Sequence, residues 1–139
     1  MNTNSIPGIR DIRVIPCPLL PKGAMMHSIC GCLVTISAPA TPVPFIGTPT
    51  LAWESTMADG ASQEKSTLQF TTARPLTATG HLAFVITAAD GRCFLIGTRE
   101  GRFPKIEYSA TTGDPARTPS LFTYKISHIA QKSVLPCLL

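Results

Sequence analysis

The sequence predicts an all-β domain, and three observations carry that expectation. Thr and Ser are abundant, 17 and 10 residues of 139, while only 14% of residues are charged, a balance that suits strands and turns over helices. The 13 prolines punctuate the whole length, and the two longest gaps between them, 50–74 and 76–103, read as strands. Finally, Asp90-Gly91 lies between two apolar runs, a strong short-range hairpin signal. With 44% hydrophobic residues the chain has enough apolar surface for a real core at this size. The predicted architecture is a single-domain antiparallel sandwich, or a small partly open barrel of SH3 or OB type, with long Pro-rich loops. It spans 1–139, with 1–10 expected as a flexible N-terminal arm. The same composition excludes a coiled coil, a long-helix bundle and a small disulfide scaffold.

Taken in order, residues 11–15 alternate and are cut by Pro16 and Pro18, which predicts a short edge strand. Residues 27–37 are rich in β-branched and small side chains and predict a longer strand. Pro39, Pro42, Pro44 and Pro49 make 38–49 an extended connection rather than a ladder element. Asp59-Gly60 is flanked by Ser55, Thr56, Ser62, Gln63, Glu64 and Lys65, which predicts a longer mobile loop or a protruding hairpin tip. Leu68 and Phe70 alternate with Gln69 and Thr71, a half-buried strand pattern.

In 81–97 a two-residue turn at Asp90-Gly91 would set Thr87 opposite Phe94, Val85 opposite Ile96 and Ala83 opposite Thr98. One face then carries Phe84, Ile86, Cys93 and Leu95, the other Val85, Phe94 and Ile96. Both faces are apolar, so this hairpin belongs in the middle of a sandwich or barrel. Residues 105–109 alternate weakly and 110–119 read as a turn-rich loop. In 122–129, Phe122, Tyr124, Ile126 and His128 share a face. The apolar tail 134–139 is expected to dock or to enter an interface.

Chemistry-bearing patterns are sparse. The net charge of +4 is spread along the chain, a mild surplus that permits an anionic partner without demanding one. Five cysteines, at 17, 30, 32, 93 and 137, form an odd set, and the first residues lack an apolar leader segment. Free thiols in a reducing, cytoplasmic compartment follow. In a strand Cys30 and Cys32 would share one face, as small packing residues rather than a metal pair. No apolar run approaches the roughly 20 residues that a membrane span needs. His27, His81 and His128 lack ligand-pair spacing, and His128 reads as a hydrogen-bonded, partly buried imidazole.

The carboxylates are few and unpaired, and neither a Gly-x-Ser-x-Gly elbow nor a phosphate-binding loop is present. The expectation is a protein without catalytic residues, metal or cofactor. One constellation stands out. Arg92, Arg99, Arg102 and Lys105 interleave with Phe94 and Phe103, with Tyr108 close behind, as basic and aromatic residues do where phosphates and bases are held. Arg92, Arg99, Arg102, Phe103, Lys105 and Tyr108 are therefore candidate contacts to nucleic acid or to a protein partner.

The run Ala-Ala-Asp-Gly-Arg-Cys-Phe-Leu-Ile-Gly-Thr-Arg-Glu-Gly-Arg-Phe-Pro-Lys-Ile-Glu-Tyr at 88–108 resembles small β-proteins of Bacteroides-type prophages and other mobile elements. Tyr124-Lys125-Ile126-Ser127-His128 and Ser133-Val134-Leu135-Pro136-Cys137 add to the resemblance, which covers the C-terminal half. It implies a tail, neck or head–tail connector component, cytoplasmic or incorporated into a virion-like particle, and carries over no functional residue. Such proteins assemble with self or other subunits through strand edges, Pro-rich arms and long loops. Here 1–10, 38–49 and 55–65 are those elements. The leading expectation is a non-enzymatic structural or assembly protein. The alternative is a small β-barrel module binding nucleic acid through the basic and aromatic segment.

Overall fold

The computed structural model describes residues 2–5, 8–20, 23, 26, 29–31, 33–36, 39–58, 60–74, 80–99, 103–111, 121–130 and 133–138. Eleven strands are found among them. They are β1 (Asn2–Ser5), β2 (Ile9–Pro16), β3 (Val34–Thr35), β4 (Thr41–Pro42), β5 (Ile46–Ala58) and β6 (Ala61–Thr72), followed by β7 (Leu82–Ala88), β8 (Cys93–Ile96), β9 (Lys105–Thr111), β10 (Leu121–Ala130) and β11 (Val134–Leu138). They form two sheets, a five-stranded one in the order β1-β5-β6-β10-β9 and a six-stranded one in the order β3-β11-β8-β7-β2-β4. The predicted all-β sandwich is the fold. Its pairings are antiparallel except for β11 with β3, which is parallel.

Alternation explains the five-stranded sheet. Leu68 and Phe70 on β6, and Tyr124, Ile126 and His128 on β10, are buried, while Gln69 and Lys125 between them are exposed. The buried set faces Ile12 and Val14 of β2, Phe84 and Ile86 of β7, and Phe94 and Ile96 of β8 in one core between the sheets. Each large side chain so buried contributes about 1.5–3 kcal/mol. The six-stranded sheet is apolar on its other face as well. There Ala83, Val85, Leu95, Leu135 and Cys137, with Val34 of β3, pack against Cys17, Leu20 and Ile36. This is why β7 reads Leu-Ala-Phe-Val-Ile-Thr-Ala with every residue buried.

Several expected details are corrected. The 81–97 hairpin slips by one residue: Phe84 faces Ile96, Val85 faces Leu95, Ile86 faces Phe94 and Thr87 faces Cys93. The cause is the turn. Ala88 N–H donates to the Arg92 carbonyl at 2.8 Å and Gly91 N–H to the Ala88 carbonyl at 3.0 Å, leaving Ala89, Asp90 and Gly91 as a three-residue loop with Gly91 at φ 93°. That is the bulged turn in which the last residue needs positive φ. A one-residue slip exchanges faces on one strand, so Phe94 and Ile96 join Phe84 and Ile86, while Leu95 and Cys93 join Val85.

Of the strand expected over 27–37, Val34–Thr35 is what the described residues form. Cys30 N–H donates to the Met26 carbonyl at 3.0 Å, a helical turn, so Cys30 does not lie in a strand; Cys32 is outside the described residues. β2 is longer than expected and lies one place in from the edge, beside the two-residue β4. Part of the Pro-rich connection 38–49 is thus ladder after all. Within 1–10, Asn2–Ser5 pairs with β5. Within 55–65, the second of the two expected alternatives, a hairpin tip, is the one found: 55–58 pair with 61–64. Of the loop expected over 110–119, Ala110 and Thr111 belong to β9 and 112–119 lie outside the described residues.

Candidate functional site

Of the six candidate contact residues, five are described and Arg102 lies outside the described residues. Arg92 closes the β7–β8 turn. Its backbone N–H donates to Asp90 Oδ1 at 3.1 Å and its Nε to Asp90 Oδ2 at 2.6 Å, while its guanidinium carbon lies 5.7 Å from the Phe94 ring centre. The Arg92 backbone N–H, aided by the guanidinium, holds the Asp90 carboxyl below its usual range. Arg99 is exposed beyond the other end of β8.

Phe103 is half-buried against the outer cluster and stacks on His81, with ring centres 3.9 Å apart. Lys105 is exposed and pairs with Glu107 at 3.3 Å. Tyr108 is exposed, but three residues along a strand place it on the face opposite Lys105. The fold therefore distributes the described members over both ends of β8 and both faces of β9.

Tyr108 has a specific setting. It lies in register with Tyr124 on β10, and Tyr124 with Phe70 on β6. The rings stack in sequence, Tyr108 to Tyr124 at 5.6 Å and Tyr124 to Phe70 at 5.4 Å. Phe70 then meets Phe84 of the opposite sheet at 6.2 Å. An aromatic row thus runs from the core to the β9 edge, where Tyr108 is 64% exposed. Cross-strand aromatic pairs stiffen such a row.

The other prominent surface is the β5–β6 hairpin. Among the described residues β1 flanks it as far as Ser55 and β10 as far as Glu64. The pairs Thr56–Gln63, Met57–Ser62 and Ala58–Ala61 therefore form a two-stranded ribbon past the described ends of β1 and β10. Met57 is the most exposed large hydrophobic residue among those described, at 76%. At the ribbon's root, Glu64 Oε1 accepts from Ser133 N–H at 2.9 Å, Ser133 Oγ at 3.2 Å and Val134 N–H at 3.0 Å. These bonds tie the ribbon to β11. Beside the root, a hollow of about 250 Å³ is bounded by Ala52, Trp53, Glu54, Lys65 and Thr67, where small Ala52 sits among longer neighbours.

Ser66 and His128 face each other across β6 and β10, yet they form no nucleophile–base pair. Ser66 Oγ–H donates to the His128 backbone carbonyl at 3.5 Å, and neither ring nitrogen of His128 has a hydrogen-bond partner among the described residues. The hydrogen-bonded imidazole expected from sequence is thus buried but unpaired. Burial lowers its pKa, so it is neutral at ordinary pH. Among the described residues no three His, Cys, Asp or Glu side chains are grouped to hold a metal ion. No helix among them is long and apolar enough to cross a membrane.

Sequence reasoning offered 55–65 as a loop or a protruding hairpin tip, and the hairpin is found; what it missed is the exposed apolar residue the hairpin bears. The signal was Met57, a lone large apolar side chain amid a polar run. No family model, curated protein or solved structure matches the chain.

Proposed function

We propose that the chain is a non-enzymatic structural or assembly protein that joins protein subunits, as a component of a phage tail or head–tail connector does. The observation that carries this reading is the β5–β6 ribbon, which extends three residue pairs past the described ends of its flanking strands and presents Met57 at 76% exposure. A two-stranded ribbon is marginal alone in water, and an exposed apolar side chain at its end gains by burial against a neighbour. The β9 edge with Tyr108 supplies a second contact element, since its outer side has no strand partner among the described residues. Strand edges of this kind recruit further strands.

The test is light scattering over a concentration series, on the full chain and on a variant with 56–63 replaced by a two-residue Asp-Gly turn. The expected result is an apparent mass that rises with concentration for the full chain only, with an unchanged β circular dichroism spectrum in both. A strict monomer at the highest concentration, with no subunit retained in pull-downs, overturns the reading. A position among tail or capsid genes supports it independently.

A further inference from the structure

Cys93 on β8 and Cys137 on β11 lie directly opposite each other in adjacent antiparallel strands. Their residues are 44 positions apart in sequence, and only the docking of the C-terminal strand brings them together. Both side chains belong to the outer cluster of the six-stranded sheet. The Ala88 N–H bond to the Arg92 carbonyl sets the direction of the backbone groups along β8. Those of Phe94 point to β7 and those of Cys93 to β11. The cysteines therefore form a hydrogen-bonded cross-strand pair, with Cα atoms about 5.5 Å apart. That lies inside the span of about 4.4–6.8 Å that a disulfide bridges.

Their environments differ in a useful way. Cys93 is partly exposed, with the Thr87 hydroxyl 3.5 Å from its sulfur. Cys137 is buried, and its thiol is pushed up to about 12, by desolvation first and by the nearby Cys93 second. The other described cysteines are elsewhere. Cys17 sits by His81, to whose carbonyl its N–H donates, at the opposite end of β7 from Thr87 and Cys93. Cys30 is exposed on the surface turn.

We propose that Cys93 and Cys137 form a reversible cross-strand disulfide when the protein meets a low-molecular-weight disulfide such as oxidised glutathione. The accessible Cys93 thiolate attacks one sulfur of glutathione disulfide, releasing one glutathione thiolate and leaving a mixed disulfide. Cys137 then gives its proton to solvent and attacks the Cys93 sulfur, displacing the second glutathione. Two protein thiols are oxidised, one glutathione disulfide is reduced to two glutathiones, and the protein loses two hydrogens. The second step is slow because little Cys137 is thiolate at neutral pH. The pair also starts wide: hydrogen-bonded cross-strand Cβ atoms lie near the upper end of about 4.5–5.5 Å, whereas a relaxed disulfide needs about 3.8 Å. The bond is accordingly strained and easily reduced, the property of switchable rather than permanent disulfides.

The experiment incubates the native wild-type chain with oxidised glutathione, alkylates the remaining thiols and maps tryptic peptides without reduction. Cleavage after Arg92, Arg99 and Lys132 isolates each cysteine, in peptides 93–99 and 133–139. These two peptides are expected joined, and reduced glutathione at millimolar concentration is expected to separate them. Cys137→Ser is expected to stop at a glutathione adduct on Cys93. Cys93→Ser is expected to take up glutathione at Cys137 about tenfold or more slowly than Cys137→Ser does at Cys93. A wild-type protein that keeps its glutathione adduct on Cys93, or joins Cys93 to Cys17 or Cys30, overturns the proposal. The wild-type map decides this without any variant having to fold.

Discussion

At the scale of single residues, His128 governs how stability responds to acid. Its ring is 2% exposed and neither nitrogen has a partner among the described residues. Desolvation lowers its pKa from the ordinary 6.5. Above that value both folded and unfolded chains carry a neutral ring and its contribution is flat. Below it, the unfolded chain takes up a proton that the folded chain refuses. Stability then falls by about 1.4 kcal/mol per pH unit until the folded-state pKa is reached. Urea denaturation from pH 7.5 to 5 is expected to show this slope in wild type and to lose one proton's worth of it in His128→Leu. An unchanged slope in the variant would place the titration elsewhere. Alternation with Tyr124 and Ile126 made the burial of His128 legible in the sequence. The missing partners were not, because they depend on what the opposite sheet places over the ring.

Gly97 is a second residue with a defined role. It follows β8 at φ 130°, and a Cβ there would lie 2.6 Å from the Ala83 Cβ and 3.1 Å from the Ala83 Cα. The backbone of β7 cannot yield as a flexible side chain would. Gly97→Ala combines positive-φ strain with overpacking and is expected to destabilise by about 2–4 kcal/mol. Its denaturation midpoint should drop while the denaturant slope stays the same.

At the scale of elements, legibility depended on whether a segment's surroundings matched its local pattern. Residues 122–129 face core on one side and solvent on the other, so period-2 alternation located β10 and its inward face. The hairpin at Asp90-Gly91 was visible as a hairpin, but two apolar faces hold no internal marker of register. Only the extra loop residue, Ala89, distinguishes Phe84–Ile96 pairing from a one-residue slip. Val34, on β3 at the edge of the six-stranded sheet, and Ile36 just past it are apolar because they enter the outer cluster; sequence alone read this short strand as a longer one. At 55–65 the polar pattern left loop and hairpin tip undivided, since a strand pair with solvent on both sides is as polar as a loop.

Glu64 joins two such elements. One of its carboxylate oxygens serves Ser133, which is fully buried, and the start of β11. Removing it leaves buried donors unpaired. Glu64→Ala is expected to destabilise by about 2–3 kcal/mol and to speed hydrogen exchange at the Ser133 and Val134 amides. Glu64→Gln keeps an acceptor and should lose less. Equal losses in both variants would show that charge, not the acceptor, holds the clamp.

At the scale of the whole molecule, the two sheets are not equivalent. The five-stranded sheet buries one face, and its other face carries Thr67, Gln69, Lys125 and Ser127 toward solvent. The six-stranded sheet is buried on both faces, on one against its partner sheet and on the other beneath Cys17, Leu20 and Ile36, with its own Val34 of β3 in that outer cluster. A substitution that keeps shape but adds a hydroxyl separates these situations. Val85, 1% exposed in the outer cluster, changed to Thr, places a hydroxyl among apolar side chains and is expected to cost about 1–3 kcal/mol. The reverse change at Thr67, on the solvent side of the five-stranded sheet, is expected to stay within about 0.5 kcal/mol of zero. Equilibrium urea melts of the two variants measure the contrast. A Val85→Thr effect as small as that of Thr67→Val would mean that the segment over the six-stranded sheet does not keep water from it. The molecule would then be a two-layer sandwich instead of two sheets with a third, covering layer.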